Sequence, residues 1–264
     1  MRVTDGGLAG RHALVTGASS GLGVDFAREL ARRGAGLTLV ARREDRLRAV
    51  ARELADTHGV EVQVLVLDLN EADAPDRLLA DTQARGRPVD VLVNNAGFGL
   101  YGRFSELDWG RERAMLELDM IVPVHLTKLF LPGMLERRSG WVLNIASIGA
   151  YQPSPLYASY SAAKSFILNF TEALAYELRG SGVLATALSP GIVATEFLKV
   201  SGQQATRYQR MAMMDSPTVA RQGIDAMLRG RPSLVPGRLN AASAWTSRLL
   251  PRRMSAALAH RLMV

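Results

Sequence analysis

The chain has 264 residues, 48% of them hydrophobic, and 32 Lys and Arg against 25 Asp and Glu give a formal charge of +7. It contains no cysteine, which excludes disulfides and thiolate chemistry, and no run of about 18 apolar residues, which argues against a membrane span. The arginines are spread along the chain with few aromatics between them, so the charge reads as a solvated basic surface with no nucleic-acid partner.

The first apolar run, "HALVTG" at 12–17, reads as a buried strand. "VDFARELARRG" follows as a helix with Phe26, Leu30 and Ala31 on one face and Gly34 as its C-cap. "LTLVAR" is a second strand, and "EDRLRAVARELADTHG" a second helix with Leu47, Val50, Ala51 and Leu54 inward. "EVQVLVLDL" and "VDVLVNNAG" hold the third and fourth strands. A long helix is expected over about 109–137, then "GWVLNIAS" as strand five and a helix over about 157–180. "VLATALSPG" is strand six, a shorter helix covers about 217–229, and "SLVPG" is a last strand. Apolar strands separated by helices imply an α/β fold, a doubly wound parallel sheet covered on both faces. No linker or repeat divides the chain, so one domain over 1–264 is expected, with its core at about 10–235.

Ligands of such sheets bind at the carboxyl ends of the strands, so the residues there carry the functional argument. After strand one, "TGASSGLG" places Gly17, Gly21 and Gly23 at the opening of a helix. Glycines let backbone approach a phosphate, and a helix N-terminus offers free N–H groups to an anion. The spacing is G-x-x-x-G-x-G rather than the more familiar G-x-G-x-x-G. After strand two, where an acid commonly meets a ribose 2′-hydroxyl, stand Ala41, Arg42 and Arg43. Arginine suits a 2′-phosphate instead. Asp68 ends strand three, and Asn94 to Gly97 end strand four, where buried amides can tie loops together and line a cleft.

Ser147 ends strand five, Tyr160 follows thirteen residues later, and Lys164 four beyond that. Tyr160 and Lys164, at i and i+4, share a helix face; Tyr157 would need its lysine at 161, which is Ser161. The chain has three lysines (Lys128, Lys164 and Lys199), so a lysine is kept here against an arginine bias. A compact ammonium beside a phenol favours the phenolate and lowers its pKa from about 10, and unlike arginine it can pass a proton to a relay.

"TGASSGLG", "NNAG", Ser147, "YSAAK" and "SPGIVAT", in this order and spacing, resemble the short-chain dehydrogenase/reductase family over about residues 10–235. The resemblance implies a Rossmann-like domain and an enzyme using NADP(H) in preference to NAD(H). It implies that Gly17, Ser19, Ser20, Gly21, Leu22 and Gly23 hold the pyrophosphate and its ribose, and that Arg42 and Arg43 face the 2′-phosphate. Asp68 and Leu69 would flank the adenine, and Asn94, Ala96 and Gly97 would line the cleft. Tyr160 would be the general acid–base, Ser147 would hydrogen-bond the reacting oxygen, and Lys164 would hold the nicotinamide ribose and tune Tyr160. Pro190, Gly191, Ile192 and Thr195 would hold the nicotinamide. No metal is implied. Where the family places an asparagine in its long fourth helix, this chain has Asp119. Asp119 is expected either within one or two waters of Lys164, as part of a proton relay, or paired with a nearby arginine.

Residues 195–216, after Thr195, are expected to form a substrate flap carrying Phe197, Leu198, Tyr208, Met211, Met213 and Met214. These either line an adaptable apolar pocket or pack the flap onto the core. A small hydrophobic ketone, aldehyde or 3-oxoacyl compound, or the matching alcohol, is the expected substrate. The competing reading is a lapsed protein of the same fold that binds NADP without turnover. The basic amphipathic tail over about 236–264, broken by Pro251, caps a subunit interface or rests on an anionic membrane. The resemblance implies a homodimer or homotetramer. With no signal-peptide pattern before the first strand, a cytoplasmic location is expected, peripheral to a membrane if the tail binds one.

Overall fold

The computed structural model describes residues 7–247 and 249–263 and, within them, every side chain but that of Tyr208. Seven strands form one sheet: β1 (His12–Thr16), β2 (Gly36–Ala41), β3 (Val62–Val66), β4 (Val91–Asn94), β5 (Gly140–Ile145), β6 (Val183–Leu188) and β7 (Ser233–Leu234). All neighbouring strands run parallel, in the order β3-β2-β1-β4-β5-β6-β7. β1 therefore has β2 on one side and β4 on the other, and the order reverses there. That switch point opens a crevice at the carboxyl ends of β1 and β4.

The strands are apolar on both sides because helices cover both sides. Ala13 and Val15 face one layer and Leu14 the other, the two-residue period of a strand. The first layer holds α1 (Leu22–Arg32), α2 (Glu44–His58) and α9 (Ser216–Leu228), which contribute Phe26, Leu30, Leu47, Leu54, Ile224 and Met227. The second holds α3 (Ala74–Ala84), α5 (Val122–Glu136) and α6 (Ala158–Glu177), which contribute Leu78, Leu126, Phe130, Met134 and Leu174. The fold is α/β and Rossmann-like.

Three elements differ from expectation. The α3 helix has a weak apolar stripe, with Leu78 its one large fully buried side chain, so little in its pattern announces it. The long helix expected over 109–137 is divided into α4 (Trp109–Leu116), a π turn at Glu117–Ile121, and α5. Pro123 has no N–H for the carbonyl four residues back, that of Asp119, and the helix widens there. Residues after Thr195 are helical: α7 (Phe197–Ser201) and α8 (Arg207–Ala212) precede α9, and α10 (Arg238–Thr246) and α11 (Arg252–Met263) follow β7.

Candidate active site

A cavity of about 680 Å³ opens at the carboxyl ends of the strands. Of the residues singled out in the sequence, Gly17, Ser19, Ser20, Gly21, Leu22, Arg42, Arg43, Asp68, Leu69, Ala96, Gly97, Ser147, Tyr160, Lys164, Pro190, Gly191, Ile192 and Thr195 line it. Gly23, Asn94 and Asp119 do not.

The turn after β1 is shaped for close approach. Gly21 takes φ +54°, and a Cβ there would lie 3.2 Å from Thr195. Gly23 sits behind the turn, where a Cβ would overlap the Gly17 carbonyl. The turn leads straight into α1, so its amides face the cavity at a helix N-terminus. Next to it, Arg43 donates from Nε to Ser19 Oγ at 3.2 Å and from Nη2 to Ser20 Oγ at 2.5 Å. Arg42 is more exposed and donates to Asp68 Oδ2 at 3.4 Å.

Asn94 departs from expectation. It is buried at the end of β4, in register with Asn144 of β5, and its Nδ2 donates to Asn144 Oδ1 at 2.8 Å and Thr127 Oγ1 at 3.2 Å. It joins β4, β5 and α5 beneath the cleft. The next residue, Asn95, lines the cavity instead, with Nδ2 donating to the Thr16 carbonyl at 2.8 Å.

Ser147 follows β5 in extended conformation, and its Oγ accepts from the Gly149 amide at 3.2 Å. Tyr160 stands on the first turns of α6 with Lys164 one turn on, Nζ lying 5.7 Å from the phenol ring centre. Ser147 stands near enough to the Tyr160 phenol to favour its ionised form. Tyr160 is half-buried at the wall of the cavity. Burial holds its pKa above the ordinary phenol value, the Asp119 carboxylate adds to this, and Ser147 opposes it. The sequence argument for a lowered phenol pKa is thereby reversed, because burial and a second charge outweigh the ammonium.

Asp119 is the cause of that second charge. It is fully buried on the π turn, and Lys164 Nζ donates directly to its Oδ1 at 2.9 Å and to the Ile145 carbonyl at 2.9 Å. The ion pair is with the lysine itself, closer than the water-mediated arrangement expected and without an arginine. Burial raises the Asp119 carboxyl, while Lys164 and the Phe98 amide oppose the rise. Gly97 makes room for this pair: a Cβ there would overlap Asp119 Oδ1.

Tyr157, the other tyrosine of this stretch, is buried at the N-cap of α6. Its hydroxyl is 2.9 Å from Ser201 Oγ and 3.0 Å from Gln203 Oε1, and burial pushes its pKa up to about 12. Rings of Tyr101, Tyr157, Tyr160 and Phe197 follow one another at 5.4, 5.6 and 5.5 Å. Tyr157 also lines the cavity, but its hydroxyl ties the flap to α6.

In the flap, Phe197 and Leu198 line the cavity, but Met211 is 75% exposed and Met213 and Met214 stand outside the lining. Met214 packs against the core and Gly237 instead. The Tyr208 side chain lies outside the described residues. The tail, expected at an interface or a membrane, folds back over the cavity. Asn240 and Ser243 of α10 and Ala259, Leu262 and Met263 of α11 line it. Thr206 Oγ1 donates to the Leu262 carbonyl at 3.0 Å and Gln203 Nε2 to the Met263 carbonyl at 3.2 Å. The sequence marked the tail for an interface or a membrane and not for the cavity, and only the doubled asparagine pointed toward Asn95.

The family model described as short chain dehydrogenase matches residues 11–206. The chain belongs to the short-chain dehydrogenase/reductase family. A short chain dehydrogenase of Pseudocercospora fijiensis is 39% identical over 196 residues, covering 72% of this chain and 62% of that protein. A very-long-chain 3-oxoacyl-CoA reductase of Anas platyrhynchos is 37% identical over 198 residues, covering 73% and 62%. The matches thus span about three-fifths of the length of these relatives. Among solved structures, a short-chain dehydrogenase from Sphingobium yanoikuyae in complex with NADPH aligns with TM-score 0.82 at 28% identity, covering 90% of this chain and 92% of that one. L-sorbose reductase from Gluconobacter frateurii, complexed with NADPH and L-sorbose, aligns with TM-score 0.76 at 26% identity, covering 87% and 95%. Among the described residues no helix is long and apolar enough to cross a membrane, and no cluster of acids and histidines could hold a metal ion.

Proposed function

We propose that this chain is an NADP(H)-dependent oxidoreductase acting on a hydrophobic ketone, aldehyde or 3-oxoacyl compound and its alcohol. The observation that carries this reading is one cavity with two chemically distinct ends. Tyr160, with Ser147 and Lys164 beside it, stands at one end; Arg42 and Arg43 stand at the other. The glycine turn between them fits a dinucleotide, since side chains at Gly21 or Gly23 would fill or distort the cradle. A bound nicotinamide dinucleotide supplies or accepts the hydride.

The chain's own part in reduction is a proton. Tyr160, with its pKa raised, stays protonated across the neutral range and donates O–H to the carbonyl oxygen as negative charge develops there. Ser147 Oγ steadies the same oxygen. Lys164 has three N–H donors; Asp119 and the Ile145 carbonyl take two, which leaves one for a ribose hydroxyl. Arg43, preset by Ser19 and Ser20, meets a 2′-phosphate with a charge-assisted fork. Leu118, Phe197, Leu198, Val200 and Leu262 give the substrate end an apolar wall. The 3-oxoacyl-CoA reductase relative and the NADPH-bound neighbours support the reading. For assembly, we propose pairing through α5 and α6, where Leu135, Phe166 and Tyr176 are exposed.

The test is NADPH consumption across ketones, aldehydes and 3-oxoacyl thioesters. Turnover is expected with apolar members of the set. Dinucleotide binding with no turnover on any of them would overturn the enzymatic reading.

A further inference from the structure

At the phosphate end of the cavity an acid already occupies the arginines. Glu196 lies one residue beyond Thr195 and reaches the turn after β2. Arg43 Nη1 donates to Glu196 Oε2 at 3.1 Å, and Arg46 Nη1 donates to Oε1 at 3.0 Å and Oε2 at 3.2 Å. Glu196 and Arg43 both line the cavity. They come from opposite banks of the cleft, one from the segment after β6 and the other from the turn before α2. Arg46, and then Arg43, hold the Glu196 carboxyl below the usual range, so it is ionised at neutral pH. A guanidinium fork accepts carboxylate and phosphate oxygens in the same geometry.

We propose that Glu196 is a built-in stand-in for the cofactor's 2′-phosphate. It holds Arg43 and Arg46 when no phosphate is bound and gives way when one arrives. The preference for phosphorylated dinucleotide is thus set by competition between this carboxylate and the ligand. Arg43 is preset by this contact and by the two serines, while the displaced carboxylate returns to solvent, for which it is placed by its 45% exposed side chain. Glu196 also starts α7, so its release loosens one tether of the flap as the cofactor seats. The inference rests on the NADP reading above.

The test is Glu196→Gln, which keeps the shape and removes the charge at an exposed position. Dissociation constants for NADPH and NADH are measured for both proteins at low ionic strength and again near about 1 M salt, where the screening length is about 3 Å. Loss of an exposed competing ion pair is expected to tighten NADPH binding about three- to fivefold and leave NADH unchanged. The gain is expected to vanish at high salt, and also when Glu196→Gln is made together with Arg43→Ala and Arg46→Ala. If the unaltered protein prefers NADPH but Glu196→Gln leaves its binding unchanged or weaker, or shifts both dinucleotides alike, the stand-in role is overturned and the NADP reading survives. Equal binding of the two dinucleotides by the unaltered protein would overturn both. Melting temperatures of the variants, expected to match the unaltered protein, separate a binding change from loss of fold.

Discussion

Replacing Asp119 by asparagine isolates the feature in which this site is most individual. The substitution keeps an oxygen acceptor for Lys164 and deletes one buried negative charge. Lys164 Nζ is 2.9 Å from Asp119 Oδ1 and 5.7 Å from the Tyr160 ring centre, so the carboxylate lies within about 9 Å of the phenol ring. At an effective dielectric constant of about 20, two unit negative charges at that distance repel by about 2 kcal/mol, equivalent to rather more than one pH unit. Asp119 and burial both hold the phenol protonated. Removing the carboxylate therefore favours the phenolate, the form that takes the proton when an alcohol is oxidised. The assay is kcat/KM for alcohol oxidation against pH. The limb that rises with pH is expected to move down by about one pH unit in Asp119→Asn, with reduction at neutral pH and NADPH affinity little altered. A lower melting temperature is expected as well, since removing one partner of a buried ion pair costs about 3–5 kcal/mol, partly offset here by the amide acceptor. Superimposable pH profiles from a folded variant would refute the electrostatic argument.

Two further outcomes concern the ends of the cavity. Arg43→Ala is expected to weaken NADPH binding at least about tenfold with little effect on NADH, as loss of one charge-assisted contact implies; Arg42→Ala, at a more exposed side chain paired with Asp68, is expected to do less, and dissociation constants for both dinucleotides check the order. Deleting residues 252–263 removes the wall made by Ala259, Leu262 and Met263; KM for apolar substrates is expected to rise about tenfold, the scale of one lost buried aliphatic contact, while NADPH affinity holds.

What was legible in the sequence was local. Tyr160 and Lys164 are one helical turn apart, and the glycine turn is fixed by three residues between a strand and a helix, so spacing alone brought them together. Asn94 and Asn95 differ by a single step at the end of β4, where alternation turns one amide beneath the sheet end and the next into the cleft; composition does not say which. The return of α11 over the cavity depends on hydrogen bonds to Gln203 and Thr206, some 60 and 56 residues earlier, which no periodicity encodes. The electrostatics of Tyr160 were legible in part. The ammonium is visible at i+4 and Asp119 stands out where the family places an asparagine, but the direct contact of Asp119 with Lys164, 45 residues on, and the burial of the phenol are matters of packing.

The most direct measurement sets Tyr160→Phe beside Tyr157→Phe in NADPH-dependent reduction of one apolar ketone. Each substitution removes only a hydroxyl, and both dinucleotide binding and melting temperature report on the rest of the fold. Tyr160→Phe is expected to cut turnover at least about 10²-fold with NADPH binding preserved, the lower range for loss of a general acid. Tyr157→Phe, which breaks only the contacts to Ser201 and Gln203, is expected to keep turnover within about tenfold. Near-normal turnover in Tyr160→Phe, or inactivity in Tyr157→Phe alone, would contradict the assignment of Tyr160 as the proton-transfer group.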